Sequence, residues 1–277
     1  MILLRAPFDG PSPVAADIEV EIDEQAGGRL ARLRVHGLEV LVARNAANHP
    51  FGWGSYVMAP YAGRVRRGRF RFDDVTHELP ITMKPHAIHG FAFDRPWTVE
   101  NCSPHAAALS CAFPAAWPFG GRVTHQVELF ADRIVQRLTI EAERRMPATT
   151  GWHPWFARRL SRGHELEVTV DLSRARMYRR DQDGIASAEL VTPSSGPWDD
   201  TFDRVGAIEL RWPGALSVAI EHDCSHVVIY DEPTDAVCVE PQSDAPDAFN
   251  IAAHRCIVEP GRPLARHMTW RWTELQE

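Results

Sequence analysis

Apolar and polar residues alternate along much of the chain. Residues 17–23 (DIEVEID), 29–35 (RLARLRV), 122–130 (RVTHQVELF) and 133–140 (RIVQRLTI) repeat every second position. Residues 165–172, 216–221, 226–230 and 267–272 do the same. A period of two, carried by β-branched and aromatic residues, predicts half-buried strands, because successive side chains of a strand face opposite ways. Gly27-Gly28, Ala131-Asp132 and Pro213-Gly214 separate the runs as turns, and short turns between strands give antiparallel neighbours. Helical periodicity is nearly absent. So many strands must stack or close, which predicts an all-β protein built as a large antiparallel β-sandwich. No repeat, low-complexity tract or charge block marks a linker, so residues 1–277 are expected to form a single domain. Residues 178–203, rich in Asp, Ser, Gly and Pro, read as a long functional loop.

Composition narrows the range of partners. With 44% hydrophobic and 24% charged residues the chain can bury a core, and its net charge of −7 offers no basic excess to displace counterions from nucleic acid or an anionic membrane. A small neutral molecule is the expected partner. Five cysteines at irregular spacings, without a Cys-x-x-Cys pair, indicate neither a disulfide framework nor a thiolate metal site. The apolar run at the N-terminus is too short for a signal peptide's core and no stretch is long enough for a membrane helix, so a cytoplasmic protein is expected, monomeric or homodimeric.

The candidate chemistry sits at breaks in the pattern. Residues 238–250 (CVEPQSDAPDAFN) deliver Glu240 from an apolar run and then turn polar; Pro241 lacks a ladder donor, which predicts that the strand ends at the glutamate. His89 precedes Gly90, and His153 precedes Pro154 among Trp152, Trp155 and Phe156, a setting suited to a ring-shaped ligand. Arg64 follows Pro60, Tyr61 and Gly63, and a guanidinium can fork onto neighbouring hydroxyls. Arg66 and Arg67 read as a solvated turn. Asp199 and Asp200 end the long loop, one of them a candidate hydroxyl acceptor and both candidates for an Asx turn. His86 with His89, or His222, Cys224 and His226, which strand alternation would put on one face, offer too few ligands for a convincing metal site, and no metal is expected. Phosphate-loop and nucleophile-elbow motifs are missing.

Taken in order, these segments resemble the aldose 1-epimerase (galactose mutarotase) family nearly end to end. Ala62-Gly63-Arg64-Val65 is similar to its arginine segment, His86-Ala87-Ile88-His89-Gly90 with Arg95-Pro96-Trp97 to its first histidine motif, and Gly151-Trp152-His153-Pro154-Trp155-Phe156 to its second. Trp198-Asp199-Asp200-Thr201-Phe202 resembles the aspartate segment, and Val239-Glu240-Pro241-Gln242 with Pro246-Asp247-Ala248-Phe249 the glutamate segment. The chain departs from the family in having Trp155 where Tyr is common, Ala157-Arg158 where Asn often follows, and Gly63 where Asn often adjoins the arginine. These changes bear on the choice of sugar more than on the chemistry.

The resemblance implies a large antiparallel sandwich, no cofactor, and interconversion of the α and β anomers of a free aldose. It implies Glu240 as base, His153 as acid, His89 near the ring oxygen, and Arg64, Asp199, Trp155 and Gln242 as sugar contacts. Two alternatives accompany it. One is an epimerase of hexose 6-phosphates using Arg66, Arg67 or Arg95, and the other is a non-catalytic sugar-binding or sensor domain.

Overall fold

The computed structural model describes residues 1–7, 17–45 and 49–276. Within them each alternating run is a strand: Ile18–Asp23, Arg29–Val35, Arg122–Leu129, Arg133–Glu141, Glu167–Val170, Leu216–His222, His226–Tyr230 and Leu264–Glu274. The alternation is literal in Arg122–Leu129, where Val123, His125, Val127 and Leu129 point inward and the residues between them do not.

Two large sheets dominate, and every ladder between named strands is antiparallel. Among the described residues the larger has twelve strands. Its central order is Arg29–Val35, Ser55–Met58, Gly151–Pro154, Ala236–Gln242, His226–Tyr230, Asp199–Asp203, Arg176–Arg180 and Ala186–Val191. The second, among the same residues, has eight strands, from Thr98–Cys102 to Glu167–Val170, with Arg133–Glu141 and Leu264–Glu274 at its middle. Their inner faces share one apolar core, in which Phe156 of the larger sheet meets Trp270 of the smaller at a ring separation of 5.0 Å. Trp212 is buried there too and donates its indole N–H to the Ala157 carbonyl at 2.9 Å, so its polar atom does not oppose burial. Burying such a large apolar side chain stabilises a fold by roughly 1.5–3 kcal/mol.

Three expectations change. Residues 178–203 are not one loop, because they contain Ala186–Val191, Asp199–Asp203 and the end of Arg176–Arg180. Nor does the strand carrying Glu240 stop there: it runs Ala236–Gln242, with Pro241 held opposite Val227 in the ladder. His222, Cys224 and His226 share no face, since Leu216–His222 belongs to the smaller sheet and His226–Tyr230 to the larger, with Cys224 in the crossing between them. Among the described residues helix is confined to short turns such as Ala248–Ile251, and none is long and apolar enough to cross a membrane. All five cysteines are free thiols.

Candidate active site

One face of the larger sheet forms a cleft of about 350 Å³. That lies toward the small end of the usual range for small-molecule sites, about 300–1,000 Å³. Strand periodicity selects its lining. Glu240 and Gln242 project from one strand, Val228 and Tyr230 from the next, then Asp199 and Thr201, then Tyr178 and Arg180, always two residues apart. On the other side His153 stands directly across from Tyr56 in the ladder. The register Val228↔Glu240 and Asp199↔Tyr230 fixes these groups relative to one another.

Loops supply the remaining groups. Arg64 and His89 come from two segments joined by the short ladder Arg64↔Ile88 and Val65↔Ala87, and the His89 amide donates to the Gly63 carbonyl at 3.0 Å. His89 has φ 59°. A non-glycine residue held in that region costs about 1–3 kcal/mol, which the surrounding contacts must offset. Gly90 follows at φ 74°, where a Cβ would lie 2.0 Å from the Ala59 carbonyl oxygen. At Gly63, φ 70°, a Cβ would lie 2.6 Å from the Pro246 ring, so packing of Pro246 explains the glycine beside Arg64.

The centre of the cleft is a carboxyl and an imidazole. Glu240 Oε1 lies 3.2 Å from His153 Nε2, and the Gln242 amide donates to Glu240 Oε2 at 3.1 Å. Burial pushes the Glu240 carboxyl well above the ordinary range; the charge of Asp199 adds to this, while the Gln242 hydrogen bond and Arg64 oppose it. Burial pushes His153 down to about 3, with a further downward contribution from Arg29. Both directions express the cost of an isolated charge away from water. A single proton shared across the contact avoids that cost, on nitrogen as an ion pair or on oxygen as a neutral pair. The two residues therefore titrate as one unit holding one proton near neutrality.

Aromatic rings set the position of that imidazole. Tyr56 stacks on His153 at 4.6 Å and 24°, Trp155 lies nearly parallel to it at 5.4 Å and 11°, and His89 meets it edge-on at 5.1 Å. His89 is held neutral, its pKa pushed well down by burial and then by His153 and Arg64. Its buried Nδ1 has no hydrogen-bond partner among the described residues.

The opposite wall carries balanced charge. Asp199 faces Arg64 at 3.9 Å and Arg180 at 3.7 Å, and Arg180 Nε also reaches Asp200 at 3.0 Å. Asp199 lines the cleft, whereas Asp200 is buried outside it. Arg66 lies elsewhere, within 2.7 Å of Asp181, 3.2 Å of Asp183 and 3.4 Å of Asp247. Arg67 approaches Asp183 at 3.9 Å, and neither Arg67 nor Arg95 lines the cleft.

His153, Cys238 and Glu240 bring one potential ligand atom each within 4.8 Å of one another. Burial, with the charges of Glu240 and Asp199, pushes the Cys238 thiol well above its usual range. Without a metal it is a protonated thiol beside an acid–base pair, and a metal bound there would have to displace its proton.

Arg64, His89, His153, Trp155, Asp199, Glu240 and Gln242 thus meet in one cleft. Trp53 and Trp152 do not line it and are buried. Sequence reasoning missed Tyr56, Tyr230, Glu232 and Arg180, all of which line it. The i, i+2 relation of Tyr178 and Arg180 is the available signal, and treating their segment as a loop hides it.

Comparison with known proteins bears on the family and the fold. The family model for aldose 1-epimerase matches residues 17–271. The chain belongs to the aldose 1-epimerase family. Among curated proteins it is 21% identical to the uncharacterized protein YihR of Escherichia coli K12, over 86% of this chain and 85% of that one. A galactose mutarotase-like protein from Clostridium acetobutylicum superimposes with a TM-score of 0.82 at 16% identity, over 94% of both chains. Galactose 1-epimerase from Lactobacillus acidophilus NCFM does so with 0.78 at 14% identity, over 99% of both. At these identities the structural matches establish the large antiparallel fold, and the family match points to an isomerase in general terms.

Proposed function

We propose that the chain is a cofactor-independent aldose 1-epimerase acting on a free sugar. The observation that carries this reading is the buried Glu240–His153 contact at the floor of a sugar-sized cleft. Anomer interconversion removes the proton from the C1 hydroxyl and delivers one to the ring oxygen, breaking the C1–O5 bond to give an open aldehyde. Rotation about C1–C2 and reclosure complete the cycle. Both oxygens belong to one carbon, so base and acid must converge on one end of the sugar, as the Glu240 carboxyl and the His153 imidazole, 3.2 Å apart and sharing one proton, do. Glu240 is the base, His153 the acid, and His89 a hydrogen-bond partner at the ring oxygen. Arg64, Asp199 and Gln242 hold hydroxyls, and Trp155 offers an apolar face to the ring.

Charge balance favours a neutral substrate over a phosphorylated one. The cleft's cations, Arg64 and Arg180, both face Asp199, and Glu232 adds another carboxylate to the lining. The arginines nominated for a phosphate lie outside it. An intact acid–base pair also favours an enzyme over a sensor domain. Polarimetry of the purified protein with anomerically pure glucose, galactose and other aldoses tests the proposal. Accelerated mutarotation of at least one free sugar, undiminished by millimolar inorganic phosphate, is expected. A protein that binds sugars without accelerating any of them is a sensor, and competition by phosphate would favour the sugar-phosphate reading.

A further inference from the structure

Behind the catalytic imidazole lies a buried cation that the reaction as written does not use. Arg29, at the start of the strand Arg29–Val35, is 1% exposed. Among the described residues its guanidinium donates only to main-chain carbonyls: Nε to Ala26 at 2.8 Å, Nη1 to Pro50 at 2.9 Å and to Trp53 at 3.1 Å, and Nη2 to Phe93 at 2.8 Å. Among the described residues no carboxylate forms an ion pair with it. The nearby acid Asp23 accepts the Gln25 and Ala26 amides and faces Arg44 at 3.9 Å. An unpaired cation is costly to bury, so a position that keeps one calls for an account of what the charge does.

The geometry supplies one. The Arg29 guanidinium lies 4.0 Å from the Trp53 ring centre and 5.2 Å from that of Tyr56, and Tyr56 stacks on His153 at 4.6 Å. A standing positive charge therefore sits about 10 Å or less from the imidazole, through rings rather than water. We infer that Arg29 is a positioning residue for charge: it keeps the His153–Glu240 pair from taking up a second proton, and so holds the pair in its one-proton working state as the pH falls. The other ionisable groups facing the pair do not do this. Arg64 is offset by Asp199, His89 is held neutral, and the Cys238 thiol and Tyr56 hydroxyl are kept protonated by burial. The depression of His153 includes a contribution from Arg29.

At a separation of about 10 Å and an effective dielectric of about 20, removing the charge should raise the pair's acid titration on the order of one pH unit. The inference rests on the proposed roles of His153 and Glu240, and its test does not require turnover. Histidine-labelled protein is titrated by nitrogen NMR as wild type, Arg29→Gln, Arg29→Met and Arg29→Lys. The two neutral variants should take up the second proton about one pH unit higher, while Arg29→Lys stays within a few tenths of wild type. Unshifted titration in a folded neutral variant overturns the inference. Arg29→Lys retains the charge, so even if both neutral variants fail to fold, an upward shift of about a unit in Arg29→Lys overturns the inference. In an active enzyme the acid limb of the rate profile should move with the NMR titration. A moved titration beside an unmoved limb would count against the catalytic roles of His153 and Glu240 and leave the effect of Arg29 standing.

Discussion

Glu240 and His153 project from neighbouring strands of the larger sheet with Oε1 and Nε2 3.2 Å apart, and neither side chain is more than a tenth exposed. Gly151↔Gln242 pairs those strands, and a Cβ at Gly151 would lie 2.7 Å from the Pro241 carbonyl oxygen. The acid–base spacing is therefore set by a sheet register that close backbone contact protects, which is firmer than placement by a loop.

If His153 delivers the ring-oxygen proton, His153→Gln should lower kcat by about 10²–10⁴-fold with KM changed only a few-fold. Polarimetric progress curves across sugar concentration separate the two parameters. Loss confined to KM would make His153 a binding group.

Asp199 is placed as a grip on a hydroxyl. Asp199→Asn should raise KM about tenfold, the equivalent of one charge-assisted hydrogen bond of about 1.4 kcal/mol, and leave kcat within a few-fold. The same substitution at Asp200, which lies outside the cleft, should act through stability instead, by freeing one carboxylate contact of Arg180.

Trp155 presents a ring to the cleft, stacked beside His153 and edge-on to Tyr230 at 6.0 Å. Trp155→Tyr should retain sugar affinity within a few-fold, whereas Trp155→Ala should weaken it about tenfold or more. Calorimetric titration with a sugar checks both. Equal affinities for the two variants would remove Trp155 from the binding surface.

The fold was legible because one-for-one alternation survives wherever a strand has one face in the core and one in solvent. It failed for residues 178–203, where Arg180, Asp199 and Asp203 break the apolar period on strands that line or border the cleft. The cleft residues that were recognised stood beside Gly, Pro or aromatic residues, which set them apart. Arg180 did not stand out, because it adjoins Arg179 and lies near Arg176, both exposed, and nothing local separates the three. Arg29 opens a run whose polar positions otherwise face outward, and only the carbonyls of Ala26, Pro50, Trp53 and Phe93, scattered along the chain, make it a buried cation.

Buried neutral histidines predict acid sensitivity. In the folded state His125 is held down to about 4 by burial, against 6.5 in an unfolded chain, and His222 and His226 shift the same way. The unfolded state then binds more protons below pH 6.5, so this contribution to stability is complete above 6.5 and is lost as the pH falls toward 4. For His125 alone the loss between pH 7 and 5 is about 2 kcal/mol. Urea unfolding at those two pH values should show a difference smaller by about that amount in His125→Gln. An identical pH dependence in the variant would contradict it.

The central claim is that Glu240 is the base. Glu240→Gln keeps the shape and can still accept the Gln242 amide, yet cannot take the C1 hydroxyl proton. Polarimetry on an anomerically pure sugar, with calorimetric binding of the same sugar as control, should show mutarotation reduced by about 10²-fold or more and binding still measurable. Turnover at the wild-type rate would show that the proton leaves by another route.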